Sequence, residues 1–202
     1  MLLNHIPAGP TLSKPTGLST RCNKSAEEFR EEIISNLLPA QLDFVEDNET
    51  LMLGLCAGFR ALCAKACIAA LENPGTVMAV FEPTHILLRD VWCRSFDDFL
   101  EEFEIEHDFR VSPQPEYRIH TSNGSTTLLC RATETWNRIR GQNLSVILVD
   151  EIDTSPLDVS QKAVEMFLAR LRGGDKPQLA MASTPEGYRI MHKTTHIYRP
   201  VS

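Results

Sequence analysis

The chain has 202 residues, of which 43% are hydrophobic and 23% are charged, a composition typical of a soluble globular protein. Its formal net charge of -7 argues against the broad basic surface of a non-specific DNA-binding protein, although it is compatible with a local basic site. The longest apolar run is too short to span a membrane, and the first residues lack the basic start and apolar core of a signal peptide.

The six cysteines occur singly, without a C-x-x-C pair, so the sequence indicates neither a metal site nor a disulfide framework. Cys63 and Cys67 are four residues apart in a predicted helix, where they would share one face and pack as small apolar groups. This use of cysteine indicates a reducing compartment such as the cytoplasm.

Residues 1 to 24 are rich in Pro, Ser, Thr and Gly and are predicted to form a flexible leader. After it, apolar periodicity and turn residues predict alternating helices and strands. The first elements are a helix at 25 to 38, a brief helix or turn from 39, a strand at 50 to 55, a helix at 60 to 73, a strand at 76 to 81 and a helix at 84 to 103. The others are hairpin strands at 117 to 121 and 125 to 131, a strand at 145 to 149, a helix from about 158 to 172 and a strand at 178 to 182.

This alternation predicts an α/β fold in which a mainly parallel sheet carries helices on both faces. Ligands of such sheets bind beyond the carboxyl ends of the strands. Three predicted strand ends carry polar residues, near Gly58, at Asp150 and Glu151, and at Ser183 and Thr184. We therefore expect the functional site at this edge of the sheet.

The segment SVILVDEIDTSP places Asp150 and Glu151 directly after an apolar strand. In ATPases with a phosphate-binding loop, an acid at the first position holds Mg²⁺ through water, and the second acid polarises the attacking water. A solvated acidic turn is the alternative interpretation of this pattern.

Other polar residues could complete such a site. Ser183 and Thr184 in MASTPEG could orient a water or sense a γ-phosphate, or form a simple turn. Arg138 and Arg140 in WNRIRGQN could stabilise charge on a transferred phosphoryl group, or form surface ion pairs. The amide of Gln41 in LLPAQLDF could hydrogen-bond an adenine edge.

These motifs stand in the order found in the ATPase domain of the large terminase subunit of tailed bacteriophages, which residues 36 to 190 resemble. LLPAQLDFVED resembles the adenine-contacting segment, and LGLCAGF with RALCAKACIAALENPGTVMAVFEPTHILLRDV resembles the strand, Walker A region, helix and second strand. IHTSNGSTTLLCRA is similar to the hairpin, NRIRGQNLSVILVDEID to the arginine loop and Walker B, and MASTPEGY to the coupling motif.

The resemblance implies a three-layer P-loop NTPase fold of the RecA/ASCE-like type, with ATP and Mg²⁺ as cofactors. It also implies roles for individual residues. These are metal binding by Asp150, catalysis by Glu151, Arg138 and Arg140, nucleotide binding by Gln41, Ala57, Gly58, Phe59 and Arg60, and coupling by Ser183 and Thr184.

The Walker A region departs from the family pattern. A phosphate-binding loop needs G-x-x-x-x-G-K-[ST], and related terminases read like GGFGSGKT before RALCAKA. Here Phe59 runs directly into Arg60, which leaves a gap of five residues where the last Gly, the Lys and the hydroxyl belong. Arg60 could meet a phosphate at the helix N-terminus, whereas Lys65 lies more than one turn further on. We predict greatly reduced ATP affinity, almost no hydrolysis, and a helix start unwound by about a turn or a frayed first strand.

The implied function is the ATPase of a DNA-packaging motor that drives double-stranded DNA into procapsids, impaired here by the missing loop. The implied partners are double-stranded DNA, the portal protein, the small terminase subunit and sister subunits in a homo-oligomeric ring, without a membrane. The location would be the cytoplasm of the bacterial host, transiently at the procapsid portal. Residues 25 to 190 would form the domain and 191 to 202 a short tail, without the family's nuclease domain.

Two alternatives remain. The chain could be a non-catalytic remnant that acts as an interaction module, which the missing Lys and hydroxyl favour. A helicase-type P-loop ATPase shares the Asp-Glu pattern, but its core needs a second RecA-like domain for which this chain is too short.

Overall fold

A computed structural model describes residues 24–55, 58–184, 186–187 and 189–197. The predicted leader lies outside these residues except for Lys24. The helices are α1 (Ala26–Ile34), α2 (Pro39–Glu46), α3 (Gly58–Glu72), α4 (His85–Leu87), α5 (Arg94–Glu102), α6 (Leu157–Arg170) and α7 (Ile190–Ile197). The strands are β1 (Leu51–Leu55), β2 (Val77–Glu82), β3 (His107–Arg110), β4 (Glu116–Thr121), β5 (Gly124–Ala132), β6 (Val146–Asp150) and β7 (Gln178–Ser183). A π-helix (Leu88–Cys93) joins α4 to α5, and 3-10 helices cover Thr133–Ile139 and Ile152–Thr154.

The strands form one sheet in the order β1-β7-β6-β2-β5-β4-β3. The first five strands of this order run parallel, and β4 and β3 are antiparallel to their neighbours at one edge. One face of the sheet packs against α1, α2, α3 and α5, and the opposite face packs against α6 and α7. The predicted α/β architecture, mainly parallel and covered on both faces, is therefore confirmed.

Helix α3 is the centre of the first face. Every residue from Ala61 to Leu71 is buried, and the small Ala and Cys side chains let the sheet and the neighbouring helices approach closely. Cys63 and Cys67 are free and buried, as predicted from their spacing.

The predicted unwinding of the α3 start is wrong. The helix begins at Gly58, two residues earlier than the sequence predicts, and β1 extends to Leu55. Unwinding a turn would expose apolar surface that α3 keeps buried. Gly58 instead adopts a φ of 76°, a conformation open to a residue without Cβ, and only residues 56 and 57 lie between β1 and α3.

Other predictions differ from the structure in detail. The Asn123-Gly124 hairpin forms as predicted, whereas β3, which pairs with β4, was not predicted. Helix α7 starts at the predicted domain boundary, and its Met191 and Thr194 are buried, so the packed unit extends past residue 190. Within the part of the chain that is described, no helix has the length and apolar character needed to cross a membrane.

The burial of Lys65 on α3 leads us to expect that the stability of the fold depends on pH. Only 2% of its surface is exposed, and its Nζ donates to the carbonyl oxygens of Val45 (2.9 Å) and Asp47 (2.8 Å). Burial lowers the pKa of Lys65 to about 8. Between this value and the ordinary lysine pKa, the unfolded chain binds more protons than the folded chain, so the free energy of unfolding rises with pH.

We expect deprotonation of this lysine to add about 2–3 kcal/mol of stability between about pH 7 and about pH 10. Denaturant unfolding of the natural chain and of Lys65→Met measures the effect as the difference between their pH profiles. Lys162→Met, which removes an exposed lysine of α6, is the control and should leave the profile unchanged. Parallel profiles for the natural chain and Lys65→Met would contradict the prediction.

Candidate functional site

The carboxyl edge of the sheet brings together the acids and hydroxyls that were predicted from their strand ends. Asp150 is the last residue of β6, and Ser183 is the last residue of the adjacent β7. Glu151 follows in a left-handed conformation with φ 45° and ψ 43°, which is uncommon outside glycine. Its backbone N–H donates to the carbonyl oxygen of Ala182 at 2.8 Å, so this turn is fixed against β7.

The Glu151 carboxylate joins the predicted catalytic and coupling segments. Its Oε2 accepts from the hydroxyl of Ser183 (3.3 Å) and from the backbone N–H of Thr184 (3.2 Å). Its Oε1 accepts from the hydroxyl of Thr184 at 3.3 Å. A change in the position of the carboxylate would therefore alter the hydrogen bonds of the segment at the end of β7.

Glu82, which sequence analysis did not single out, lies beside Asp150. Glu82 is the last residue of β2, the other neighbour of β6, and its carboxyl group is close enough to Asp150 to share a hydrogen bond. Burial raises the pKa of Glu82 to about 9, and the negative charge of Asp150 adds to the rise. Burial, followed by the charge of Glu151, raises the pKa of Asp150 to about 6. Glu82, Asp150 and Glu151 are called the acidic cluster below.

The carboxyl groups of Glu82 and Asp150 are chemically suited to a hard divalent cation. Mg²⁺ prefers oxygen ligands and is commonly held by one or two carboxylates together with water and phosphate oxygens. The buried Oε1 of Glu82 has no hydrogen-bond partner within the described residues. Among those residues, no group of three or more His, Cys, Asp and Glu side chains could hold a metal ion, so a cation here would have two protein carboxylates and water as its ligands.

Asp153 is a further residue that the sequence analysis missed. It is fully buried in the 3-10 helix after Glu151, and its carboxylate accepts from the backbone N–H groups of Glu186 (3.4 Å) and Met191 (3.0 Å). It therefore ties the turn after β6 to the start of α7. The sequence shows this third acid of DEID, but the backbone groups that donate to it lie more than 30 positions away along the chain.

The predicted nucleotide-binding residues are only partly brought together. Gln41 lies at the α3 start, where its Nε2 is 4.0 Å from the position that a Cβ on Gly58 would occupy. The Oε1 of Gln41 accepts from the backbone N–H of Leu38 at 3.0 Å. Phe59 packs into the core with its ring centroid 4.9 Å from that of Trp92. Ala57 lies outside the described residues.

Arg60 faces away from the expected phosphate position. Its two terminal nitrogens donate to the carboxylate of Glu102 at 2.8 and 2.7 Å, and its guanidinium lies 5.5 Å from the ring centroids of Phe99 and Phe103. The adjacent cavity measures about 180 Å³ and is lined by the acids Asp98 and Glu102. Ligand pockets usually measure roughly 300–1,000 Å³, and acidic walls repel phosphate. This cavity therefore does not fit a triphosphate.

The two predicted arginines are exposed, and neither donates a hydrogen bond to the acidic cluster within the described residues. The guanidinium of Arg140 is 5.9 Å from the ring centroid of Trp136, and its carbonyl oxygen accepts from Arg170 at 2.5 Å. Arg138 is exposed in the 3-10 helix after β5. Neither arginine forms an ion pair within the described part of the chain.

Comparison with solved structures defines the class of this fold. The large terminase of a thermophilic bacteriophage superposes with a TM-score of 0.64 and 13% identity, over 81% of this chain and 41% of that chain. The large terminase ATPase domain of Thermus phage P74-26 superposes with a TM-score of 0.58 and 16% identity, over 84% of this chain and 72% of that chain. A chain of the viral genome packaging motor assembly of bacteriophage Phi-29 superposes with a TM-score of 0.52 and 14% identity, over 81% of this chain and 51% of that chain.

The chain thus has the P-loop NTPase fold of phage large-terminase ATPase domains, and the resemblance given by the motifs is confirmed at the level of the fold. It spans about two fifths of the first of these terminases, with 39% and 41% of that chain covered in two crystal forms. The same thermophilic phage terminase has been solved in complex with ATP-gamma-S and with ADP. Neither a scan of protein-family models nor a search of curated proteins gives a match.

Proposed function

We propose that this chain is the ATPase domain of a phage DNA-packaging motor that keeps the acidic part of the nucleotide site and lacks the phosphate-binding part. The observation that carries the proposal is the contact of Glu151 with Ser183 and Thr184, beside Asp150, on a fold shared with terminase ATPase domains. The acidic and coupling motifs meet there although they are widely spaced in the sequence.

Each residue of the site has a distinct task in this proposal. Asp150 would hold Mg²⁺, which would supply positive charge next to the phosphate oxygens of a bound nucleotide. Glu151 would orient the attacking water, and Ser183 and Thr184, which hydrogen-bond its carboxylate, would respond to its position. Arg138 and Arg140 are exposed, which is compatible with a role at the site of a neighbouring subunit in a ring.

The proposal extends to partners and location. Contacts to double-stranded DNA would be made to phosphates and without sequence preference, and the net charge of -7 requires these contacts to be local or shared around the ring. The portal protein and the small terminase subunit are the proposed protein partners, in the cytoplasm of a bacterial host and at the procapsid portal.

The β1–α3 link favours a second candidate function. A phosphate-binding loop wraps phosphates with backbone N–H groups over eight residues, whereas this link has two. Arg60, at the start of α3, is paired with Glu102. Both facts support a non-catalytic interaction module that binds sister subunits or the portal without turning over ATP.

Insertion of Gly-Ser-Gly-Lys-Thr between Phe59 and Arg60 tests the proposed function. We expect the natural chain to show almost no Mg²⁺-dependent ATP hydrolysis and the extended chain to hydrolyse ATP at least about 100-fold faster, because the loop supplies the phosphate ligands. Insertion of Gly-Ser-Gly-Ala-Thr is the matched control, since it restores the length without the Lys. Equal turnover by the natural and extended chains would show that phosphate is bound elsewhere. Inactivity of the extended chain would favour the interaction module.

A further inference from the structure

We propose that Glu82 is a second protein ligand for the divalent cation at Asp150, so that this chain binds Mg²⁺ even without a nucleotide. The inference rests on the proposed function in taking Asp150 as the cation ligand. It adds a residue from a different strand and a binding activity that does not depend on ATP.

The sheet register places the two carboxyl groups together. Phe81 of β2 pairs with Val149 of β6 in parallel register, so Glu82 and Asp150 are the next residues of their strands. Side chains alternate between the faces of a strand. Val80 and Leu148, two positions earlier, pack in the core on the α3 side, so Glu82 and Asp150 face that side as well.

The surroundings of Glu82 offer its carboxyl group no cationic partner. Only 2% of its surface is exposed, and its Oε1 accepts no hydrogen bond from the described residues. The ion pairs formed within these residues include neither Glu82 nor Asp150. Two adjacent carboxyl groups without a cationic partner need either a proton or a cation between them, because a buried unpaired charge is costly.

A divalent cation suits this arrangement. Two carboxylates plus water complete the usual coordination of Mg²⁺, and neither residue of the β1–α3 link is a lysine that could supply positive charge instead. Burial raises the pKa of the Cys63 thiol on α3, and the charges of Asp150 and Glu82 add to the rise. Mn²⁺ is therefore a better probe than a thiol-seeking ion such as Zn²⁺, because Mn²⁺ shares the oxygen preference of Mg²⁺.

Mn²⁺ binding to the whole natural chain, without nucleotide, tests the inference. Electron paramagnetic resonance of free Mn²⁺ gives the affinity and the stoichiometry, and competition with Mg²⁺ gives the affinity for the physiological ion. We expect one Mn²⁺ per chain, and we expect Glu82→Gln and Asp150→Asn each to weaken binding at least about tenfold. Glu101→Gln removes an exposed carboxylate of α5 and should bind Mn²⁺ like the natural chain.

Thermal unfolding provides a second measurement that also checks folding. Mn²⁺ should raise the melting temperature of the natural chain and of Glu101→Gln but not that of Glu82→Gln. Wild-type affinity in a folded Glu82→Gln variant, or no Mn²⁺ binding by the natural chain at millimolar concentration, would overturn the proposal. ATP turnover by the extended chain is measured separately, so failure of the cation site and failure of the proposed function are distinguishable.

Discussion

Glu151→Gln, placed in the chain that carries the five-residue insertion, is expected to lower the rate of ATP hydrolysis by roughly 10²–10⁴-fold while ATP binding is retained. Glutamine has the shape of glutamate but cannot accept a proton from water. It can still accept hydrogen bonds from Ser183 and Thr184, which hold the Glu151 side chain at 3.2–3.3 Å. Steady-state kcat and a fluorescent-nucleotide titration separate the two effects.

Two controls make this result specific. Glu165→Gln in the same extended chain removes an exposed carboxylate of α6 and should hydrolyse ATP normally. Thr184→Val removes one hydroxyl contact to Glu151 without removing the carboxylate, so its effect should be smaller than that of Glu151→Gln. Unchanged kcat for Glu151→Gln would contradict the role of this residue as the base that orients water.

Trp92→Ala is expected to lower the free energy of unfolding by about 3–5 kcal/mol, the range for truncating a buried aromatic side chain. Trp92 is fully buried in the π-helix, where its ring centroid lies 5.4 Å from that of Phe96 and 4.9 Å from that of Phe59. Trp92 therefore packs the π-helix after β2 against the first turn of α3. Denaturant unfolding followed by far-UV circular dichroism measures the loss.

Two further substitutions, at Trp92 and at Val91, test whether lost packing causes the expected loss of stability. Trp92→Phe should cost less than Trp92→Ala, because the buried indole Nε1 has no acceptor in the described part of the chain and no hydrogen bond is lost with it. Val91→Ala changes a 40% exposed side chain of the same π-helix and should shift stability by no more than about 0.5 kcal/mol. A loss below about 1 kcal/mol for Trp92→Ala would mean that the cavity collapses.

The order and type of the long elements were predictable because their apolar patterns are strong. The buried run VILV gave β6, and the dipeptide Asn123-Gly124 gave the β4–β5 hairpin, as the structure confirms. Strand β3 was missed because its four residues, HDFR, are mostly charged or exposed at the sheet edge and have no apolar pattern. The π-helix has no sequence pattern that separates it from an α-helix.

The sequence indicated the candidate residues that follow one another at a strand end, and it missed contacts that only the topology creates. Asp150 and Glu151 stood out beside an apolar run, and Ser183 and Thr184 followed another. Glu82 became a candidate only when the strand order placed β2 next to β6. The pairing of Arg60 with Glu102, 42 positions apart, also depends on the tertiary fold, so Arg60 was expected to face phosphate instead.

The two-residue link between β1 and α3 shows that this fold can be stable without a long phosphate-binding loop. The core that stabilises this fold lies in α3 and the sheet, whose side chains are buried here although only two residues separate β1 from α3. A phosphate-binding loop consists mainly of glycines and backbone groups, so it adds little apolar burial to the free energy of unfolding. Selection that acts only on folding therefore cannot preserve this loop, and a chain can lose its capacity for catalysis long before it loses its shape.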